Sequence, residues 1–458
     1  MGQVEERIAE FILETSPESI PEECYRVARD GCFDCVGVML AGAAEPHGRI
    51  IADFVRREGA AGPCTVAGTD IRTAPAMAAL ANGTLAHALD YDDMGGFGHP
   101  SAVLLPAALS IAELNGTSGR ELLAAYIIGF EVACHLSRGT NYIQGERGFH
   151  STAVFGTLGA AAAACRLLGL SRRQTVMALG IAASTPSGVL QNFGTHTKPL
   201  HAGMAARNGV MAALLARDGW LSSPDAVAGP IGWAMAYLGE GRYDTRAMVR
   251  DLGRVWLTRE RIVIKKYPCC GSNHSALDSL LGLMREYGFT ADDVEEVEVY
   301  GLPGIAHVLL YPEPEYAFQG KFSINYCVAT ALVDGRVDIE SFRDEKLARP
   351  ELKEALRKVE IKVVPKWSPD YAHHPAQTPV TVRLKDGRVL SRATNRHTMR
   401  GSVTNPLTPE ELKAKFRSNA LKSLPEARVE RAVELWWSLP DLTDLREATA
   451  EIRAEVRE

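Results

Sequence analysis

The sequence predicts a mainly α protein, made of a large all-helical domain and a smaller α+β domain. From residue 3 to about 220, apolar residues recur at helical spacing nearly throughout, and segments 156–165 and 203–216 carry Ala and Gly on most faces. After about residue 258, β-branched and alternating segments indicate strands. A length of 458 residues is also more typical of two domains than of one.

The all-helical domain is predicted to span residues 1–261. Val4, Ile8, Phe11 and Ile12 mark its first helix, because they recur on one helical face. Later helices are predicted at about residues 21–44, 48–57, 74–93, 100–114, 119–138, 151–168 and 172–185.

The α+β domain is predicted to span residues 262–403, with an Asp386-Gly387 turn closing a hairpin. Its expected strands are Arg261–Ile264, Val294–Tyr300, Val359–Val364, Val380–Leu384 and Val389–Leu390, and its expected helices cover about 272–287 and 322–333. Thr408 and Glu411 form a capping box where the helical period returns. We therefore expect residues 404–458 to pack back onto the all-helical domain.

The composition argues against several classes of protein. A net charge of −6, with Lys and Arg spread along the chain, disfavours a nucleic-acid surface. The N-terminus has no secretory pattern and no apolar run reaches the roughly 18–20 residues of a membrane span, so a cytoplasmic location is expected. Nine cysteines without a secretion signal disfavour disulfides, and we interpret Cys32 and Cys35 as buried apolar residues.

The segment Asn82–Pro106 places three carboxylates and two histidines in an Ala- and Leu-rich context. On the predicted helix 74–93, His87 and Asp90 share a face that Asp93 extends, while Asp92 points elsewhere. Glycines then break this helix, and His99-Pro100 begins the next one.

The Asp90–Asp93 motif admits several interpretations. It resembles the proton donor of a terpene-type cyclase, but no aromatic cluster surrounds it to line a carbocation cavity. A metal site and a capped, solvated helix end are further alternatives. The convergence of His87, Asp90 and His99 in an apolar setting favours a polar catalytic pocket.

Other candidate residues have ordinary structural explanations as well. His150 stands before an Ala-rich helix, where a histidine is often only structural. Lys198 is expected in a loop and Lys265 at the domain junction, where lysines are usually solvated, although a nearby helix start would suit a carboxylate. Tyr326 would, by itself, be assigned to the core.

Six ordered segments resemble the MmgE/PrpD family, which includes 2-methylcitrate dehydratases, cis-aconitate decarboxylases and an iminodisuccinate epimerase. They are NGTLAHALDYDD with GHPSAVLLPAAL, GFHSTAVFGTLGAA, THTKPLHAGMAARNGV, IKKYPCCGSNHSALD, KFSINYCVATAL and NPLTPEELKAKF. The resemblance covers essentially the whole chain. It implies a large helical domain with a smaller α+β lid domain, usually as a homodimer, and no metal or organic cofactor.

The resemblance also implies the site residues. Carried over by position, the catalytic candidates are Asp90, His99, His150 and Tyr326, and the substrate-binding candidates are Lys198 and Lys265. We add His87 and His274, which lie in the same segments, as further substrate-binding candidates. The chain departs from the family at Met94, where many members have Thr. This change removes a hydroxyl from the expected substrate side and leaves the substrate, rather than the family, in question.

The family reactions share a carbanion-like centre beside a carboxylate. We therefore expect a lyase acting on a small di- or tricarboxylate, with a dehydratase and a decarboxylase both open and an epimerase as an alternative. Our hypothesis makes His99 the principal acid or base, oriented or tuned by Asp90, with His150 opposite. Histidines with a pKa near neutrality could either remove or deliver the proton. A non-catalytic scaffold is the competing class.

Overall fold

The computed structural model describes residues 3–140, 143–301, 305, 308–363 and 377–454. It confirms the predicted fold class, a mainly α protein with a smaller α+β domain. The first part of the chain is helical, apart from short strands at β1 (Cys64–Thr65), β2 (Arg72–Thr73), β3 (Met94–Gly95) and β4 (Ile262–Val263). Its helices are α1 (Gln3–Glu14), α2 (Glu22–Ala44), α3 (Pro46–Glu58), α4 (Pro75–His87), α5 (Pro100–Asn115), α6 (Gly119–Arg138), α7 (Ile143–Glu146), α8 (Ser151–Leu168), α9 (Arg172–Ala183), α10 (Thr197–Arg217), α11 (Trp233–Leu238) and α12 (Thr258–Arg261).

A mixed four-stranded sheet forms the centre of the α+β part. Its strands are β5 (Val294–Gly301), β6 (Val359–Val363), β7 (Gln377–Leu384) and β8 (Val389–Asn395), in the order β6-β5-β7-β8. Strands β5 and β6 are parallel and the other pairs antiparallel, and the predicted hairpin forms with Arg383 opposite Val389. Its helices are α13 (His274–Tyr287), α14 (Ala317–Gly320), α15 (Ile324–Asp334), α16 (Asp344–Leu347) and α17 (Pro350–Arg357).

The C-terminal helices pack with the first part of the chain. They are α18 (Pro409–Ala420), α19 (Glu426–Trp437) and α20 (Arg446–Glu451), and α18 opens with the predicted Thr408–Glu411 capping box. Phe416 of α18 stacks on Phe33 of α2, with ring centroids 4.6 Å apart. One apolar core thus contains residues from Val4 to Ile264 and from Leu412 to Ile452, whereas a second contains Phe193 and residues from Tyr267 to Leu384.

A close crossing of α4 and α10 positions the segment that carries the candidate residues. A side chain on Gly203 would lie 2.2 Å from the Thr84 hydroxyl oxygen, and one on Gly83 would lie 2.8 Å from the Gly203 Cα. Only glycine permits this approach. It brings the C-terminal end of α4, at His87, to the N-terminal turn of α10, which holds Lys198.

Two predicted boundaries were wrong in ways that matter for the site. Helix α4 ends at His87 instead of Asp93, because Asp90 adopts a left-handed backbone conformation with φ 52°. Lys198 lies in the first turn of α10 instead of in a loop. Strand β3, which pairs with β4, was not predicted, and Val364, the end of one predicted strand, lies outside the described residues.

Helix α8 is long and apolar enough to cross a membrane by length and composition alone, although the sequence analysis found no such run. Within its 18-residue span, 78% is buried inside the protein. It is therefore explained as a core helix, packed against α6 and α10.

Candidate active site

Four helix ends and two connecting segments bring the candidate residues together. His87 closes α4, His99 precedes α5, His150 precedes α8, and Lys198 stands in the first turn of α10. The aspartates lie in the turn after α4, and Lys265 follows β4. Helix termini suit such a site because their backbone does not continue across it, so side chains from several helices can meet.

Asp90 lies at the centre of a buried charged cluster. Lys198 and Lys265 each donate from Nζ to Asp90 Oδ1 over 2.8 Å, and Lys265 also donates to the Asp90 carbonyl at 2.8 Å. All three side chains are essentially inaccessible, since none is more than 2% exposed. Burial alone would raise the pKa of Asp90, but the two ammonium groups outweigh it and hold that pKa well below its usual value.

Lys198 and Lys265 thus bind Asp90, a contact that was not predicted from the sequence. Burial would lower the pKa of Lys265, but Asp90 and Asp92 outweigh it and raise that pKa, so Lys265 is charged. The Lys198 ammonium also lies 4.7 Å from the Phe322 ring centroid and 5.0 Å from that of Phe193.

Asp92 joins two of the histidines, although the helical prediction pointed it elsewhere. His87 donates from Nδ1 to Asp92 Oδ1 at 2.8 Å, and His99 Nδ1 lies 3.2 Å from Asp92 Oδ2. His99 Nδ1 also lies 3.0 Å from the Asp93 carbonyl oxygen, which can only accept, so this nitrogen carries the proton. His99 Nε2 is then unprotonated, and it lies 3.8 Å from Asp90 Oδ1.

His99 is therefore oriented by Asp92 and Asp93, whereas we expected Asp90 to orient it. Burial would raise the pKa of Asp92, but His87 and His99 outweigh it and hold that pKa far below its ordinary range. His99 is also the most open of these side chains, at 14% exposure.

The histidines are uncharged in the free protein, contrary to the expectation of near-neutral pKa values. Burial, with Lys265 and His87 as further causes, lowers the pKa of His99 to about 3. Burial and the Lys198 ammonium likewise place the pKa of His150 well below its ordinary value. Because burial disfavours the charged form, the cluster presents neutral imidazoles beside two cations.

His150 faces the other histidines, as predicted, and has a partner that was not predicted. Its ring centroid lies 6.1 Å from that of His87 and 6.4 Å from that of His99. His150 Nδ1 is 3.2 Å from His201 Nδ1, so one ring donates to the other. His201 follows Lys198 by three residues on α10, so helical spacing placed it on the same face.

Asp93 does not extend the His87 face; it supports the start of α5. Ser101 donates to it through its amide at 3.0 Å and through its hydroxyl at 2.6 Å, and the Ser101 hydroxyl also meets Tyr126 Oη at 2.7 Å. Burial raises the pKa of Asp93 to about 8.

Tyr326 and His274 lie apart from this cluster. The Tyr326 hydroxyl donates to the Ser341 carbonyl at 2.5 Å within the α+β part, and its ring packs 5.8 Å from Phe342. His274 Nε2 lies 3.4 Å from the Cys269 carbonyl oxygen, and its ring is 5.2 Å from that of Tyr267. No contact between either side chain and the Asp90 cluster is found among the described residues. Their predicted roles in the site stay predictions.

Met94, the departure from the family pattern, lies in a small apolar cluster with Val263 and Met399 and is 3% exposed. A Cβ on Gly271 would lie 1.9 Å from the Met94 sulfur, so the side chain rests against the start of the segment leading into α13. Met94 thus has an apolar packing role, and its place on the substrate side stays a prediction.

A cation could be held by four members of the site. Donor atoms of His87, Asp90, Asp92 and His99 lie within 4.8 Å of one another. However, Asp90 Oδ1 already accepts from two ammonium groups at 2.8 Å, and these would repel a divalent cation at the same oxygen. The donor set therefore fits a metal poorly.

Comparison with known proteins identifies the family. The MmgE/PrpD N-terminal domain matches residues 6–246, and the MmgE/PrpD C-terminal domain matches residues 267–439. The chain is 32% identical over 388 residues to the cis-aconitate decarboxylase of Homo sapiens, covering 82% of this chain and 79% of that protein. It is 26% identical over 468 residues to the cis-aconitate decarboxylase of Aspergillus terreus, covering 96% of this chain and 94% of that protein.

A dehydratase is also among the relatives. The mitochondrial 2-methylcitrate dehydratase of Yarrowia lipolytica (strain CLIB 122 / E 150) is 23% identical over 428 residues, covering 87% of this chain and 78% of that protein. The fold, the buried charged cluster and these relatives define an enzyme of the lyase class, as predicted. The chain belongs to the MmgE/PrpD family.

Proposed function

We propose that this lyase decarboxylates a small tricarboxylate such as cis-aconitate, without a metal or an organic cofactor. The observation that carries the proposal is the buried pairing of Lys198 and Lys265 with Asp90, directly beside the unprotonated Nε2 of His99. The relatives named as cis-aconitate decarboxylases support the choice of substrate.

The two ammonium groups keep hydrogen-bond donors for a substrate. Each ammonium carries three N–H bonds, of which Lys198 uses one and Lys265 uses two toward the described residues. By subtraction, two donors remain on Lys198 and one on Lys265. Charge-assisted bonds to carboxylates are stronger than neutral ones, and the buried setting strengthens them further. The lysines thus serve both Asp90 and the substrate.

Decarboxylation breaks a carbon–CO2 bond and leaves the electron pair on the remaining carbon framework. A neighbouring carboxylate spreads that negative charge, and the lysine ammonium groups stabilise it. One proton must then reach carbon. The balanced reaction is a tricarboxylate plus one proton giving CO2 and a dicarboxylate that carries one negative charge fewer.

His99 is suited to deliver this proton once substrate is bound. In the free protein its pKa is about 3 and Nε2 is unprotonated. The carboxylates of a bound substrate favour the charged imidazole and raise this pKa, so that His99 takes up a proton from solvent and transfers it to carbon. His150, on the opposite side of the ring cluster, contacts the substrate from the second face.

Elimination of water from a hydroxy acid is the second candidate reaction. The unprotonated Nε2 of His99 is a base in the free protein, and a base is what removal of a proton beside a carboxylate requires. In that reaction the C–H and C–O bonds both break, and hydroxide leaves as water after it gains a proton.

Proton NMR in D2O distinguishes these reactions. The dialysed, chelator-treated enzyme is incubated separately with cis-aconitate, with 2-methylcitrate and with buffer alone. The proposal expects loss of cis-aconitate with stoichiometric CO2 and one solvent deuterium in the product. Conversion of 2-methylcitrate without CO2 would establish the dehydratase, and restoration of activity only by added metal would overturn cofactor independence. Inversion of a carbon centre without loss of CO2 or water would indicate an epimerase.

The expected homodimer and the cytoplasmic location belong to the same proposal. Light scattering coupled to size-exclusion chromatography tests the first, with a mass of twice 49.6 kDa expected. Fractionation of the cells that produce the protein tests the second.

A further inference from the structure

The main chain around Asp90 presents carbonyl groups that find their donors on lysines. Leu89, Asp90 and Tyr91 each direct a carbonyl oxygen toward a lysine ammonium instead of a backbone amide. The donors are Lys321 at 3.0 Å, Lys265 at 2.8 Å and Lys415 at 2.9 Å, in that order. Three consecutive carbonyls are therefore bound by lysines from three distant parts of the chain.

Lys321 and Lys415 also bind the segment that carries Lys265. Lys415 donates to the Lys265 carbonyl at 2.8 Å, and Lys321 donates to the Pro268 carbonyl at 2.9 Å. Each ammonium thus connects the Leu89–Tyr91 turn with residues 265–268. Two carbonyl-lined segments cannot bond to each other, because both present acceptors, so a shared donor is needed between them.

Both lysines are deeply buried and contact aromatic rings. Lys321 is 3% exposed and lies 4.3 Å from the Phe342 ring centroid, and Lys415 is 9% exposed and lies 3.8 Å from that of Tyr91. Asp34 compensates Lys415 at 2.9 Å. Burying a charge costs free energy unless the charge is well partnered, so lysines at these two positions indicate a specific role.

The left-handed backbone of Asp90 explains that role. A non-glycine residue at φ 52° is strained and persists only where its surroundings hold it. This conformation directs the Asp90 carboxylate to Lys198 and Lys265 and keeps it 3.8 Å from His99 Nε2. The three carbonyl contacts hold the residue and its two neighbours.

We propose that Lys321 and Lys415 are positioning residues, which hold Asp90 in its left-handed conformation and in register with Lys265 by binding the carbonyls on either side of it. Lys321 comes from the α+β part and Lys415 from the C-terminal helix α18, so the geometry of Asp90 depends on how these two parts pack on α4. The inference about catalysis rests on the proposed function; the inference about conformation does not.

Two variants test this proposal. Lys321→Met removes the ammonium and keeps the chain length. Lys415→Met is combined with Asp34→Asn, so that no buried carboxylate is left without its cation. The matched control is Lys358→Met, which removes a lysine bond of 3.1 Å to the Ala291 carbonyl elsewhere in the α+β part.

Two measurements are compared for each variant: steady-state kinetics, and the φ angle of Asp90 in a crystal structure. We expect kcat to fall about 10- to 100-fold in both test variants, as for a misplaced catalytic group, with KM changed much less and the control unaffected. Asp90 should leave the left-handed region or shift from Lys265. Unchanged kcat and an unchanged Asp90 would overturn the proposal.

The outcomes separate this inference from the proposed function. If the wild-type enzyme converts no carboxylic acid while Asp90 still moves in both variants, the proposed function fails and the positioning role stands. If the wild type is active and the variants lose activity only in proportion to lost folded protein, measured by thermal unfolding, the role is merely structural and the proposal fails.

Discussion

Lys265 binds Asp90 twice, once at the main-chain carbonyl and once at Oδ1, each over 2.8 Å. The same ammonium therefore restrains both the backbone and the carboxylate of this residue. Asp90 in turn compensates a second buried cation, Lys198. We therefore expect substitutions of Asp90 to affect both the stability of the protein and its activity.

Asp90→Asn should destabilise the protein strongly. The substitution leaves the ammonium groups of Lys198 and Lys265 without their carboxylate in a buried setting, and breaking a buried pair typically costs about 3–5 kcal/mol. Denaturant unfolding measures the loss. The double variant Asp90→Asn/Lys198→Met should recover part of it, because one of the unpaired charges is then absent. Equal stability of the two variants would contradict the pairing.

His99→Gln and Tyr326→Phe should affect turnover very differently. His99 carries the unprotonated Nε2 beside Asp90, so its loss should lower kcat about 10²–10⁴-fold. Tyr326 donates to the Ser341 carbonyl, away from the cluster, so Tyr326→Phe should cost about 1 kcal/mol of stability and leave kcat nearly unchanged. A large loss of kcat with Tyr326→Phe would instead support the catalytic role that the family resemblance implies.

Binding of a tricarboxylate should be accompanied by proton uptake near pH 7. His99 has a pKa of about 3 in the free protein, and an anionic ligand raises it toward the pH of the experiment. Calorimetric titration with tricarballylate, a saturated tricarboxylate, in buffers of different ionisation enthalpy measures the number of protons. His99→Gln should reduce that number, whereas buffer-independent enthalpies in the wild type would refute the proposed proton loading.

Acid should destabilise the fold through its buried histidines. Burial lowers the pKa of His99 to about 3, and burial is also the main cause that lowers the pKa of His47 and of His201 to about 4. In the unfolded chain the same histidines bind protons at about pH 6.5. The folded state is therefore not penalised by these histidines above that pH, and it loses stability relative to the unfolded state as pH falls from about 6.5 toward 4.

Thermal unfolding between pH 7.5 and 4.5 tests this dependence. His201→Gln should make the curve less steep than that of the wild type, because one group no longer gains a proton on unfolding. Parallel curves for the two proteins would show that His201 does not contribute. The two curves are compared with each other because Asp93 also affects the slope of each. Burial raises the pKa of Asp93 to about 8, so protonation of this carboxyl stabilises the folded protein as pH falls, opposite to the effect of the histidines.

Met94→Thr should weaken the fold more than it changes the substrate. Met94 packs with Val263 and Met399, so the shorter, polar side chain leaves a gap and buries a hydroxyl. We expect a loss of about 1–3 kcal/mol in unfolding free energy, with similar KM values for cis-aconitate. A clear change in KM or in the substrate converted would show that residue 94 acts on the substrate after all.

Sequence patterns alone predict the fold class, the family, the hairpin at Asp386-Gly387 and the capping box at Thr408. Each of these depends on contacts within a few residues or on motifs read in order, which local periodicity records. The sequence also supplied Asp90, His99, His150, Lys198 and Lys265 as candidates through the family resemblance, and the structure brings these five together.

What each of these residues contacts depends on how distant parts of the chain pack together. Helical spacing separated Asp92 from the histidines, because the pattern does not show that α4 stops at His87 and that Asp90 turns left-handed. The lysines that bind this turn are distant in sequence: Lys321 stands 232 residues beyond Leu89 and Lys415 stands 324 residues beyond Tyr91, so no local pattern links them. Burial then set the charges: the same histidines that would titrate near neutrality in water are uncharged here, because they are enclosed with two lysines.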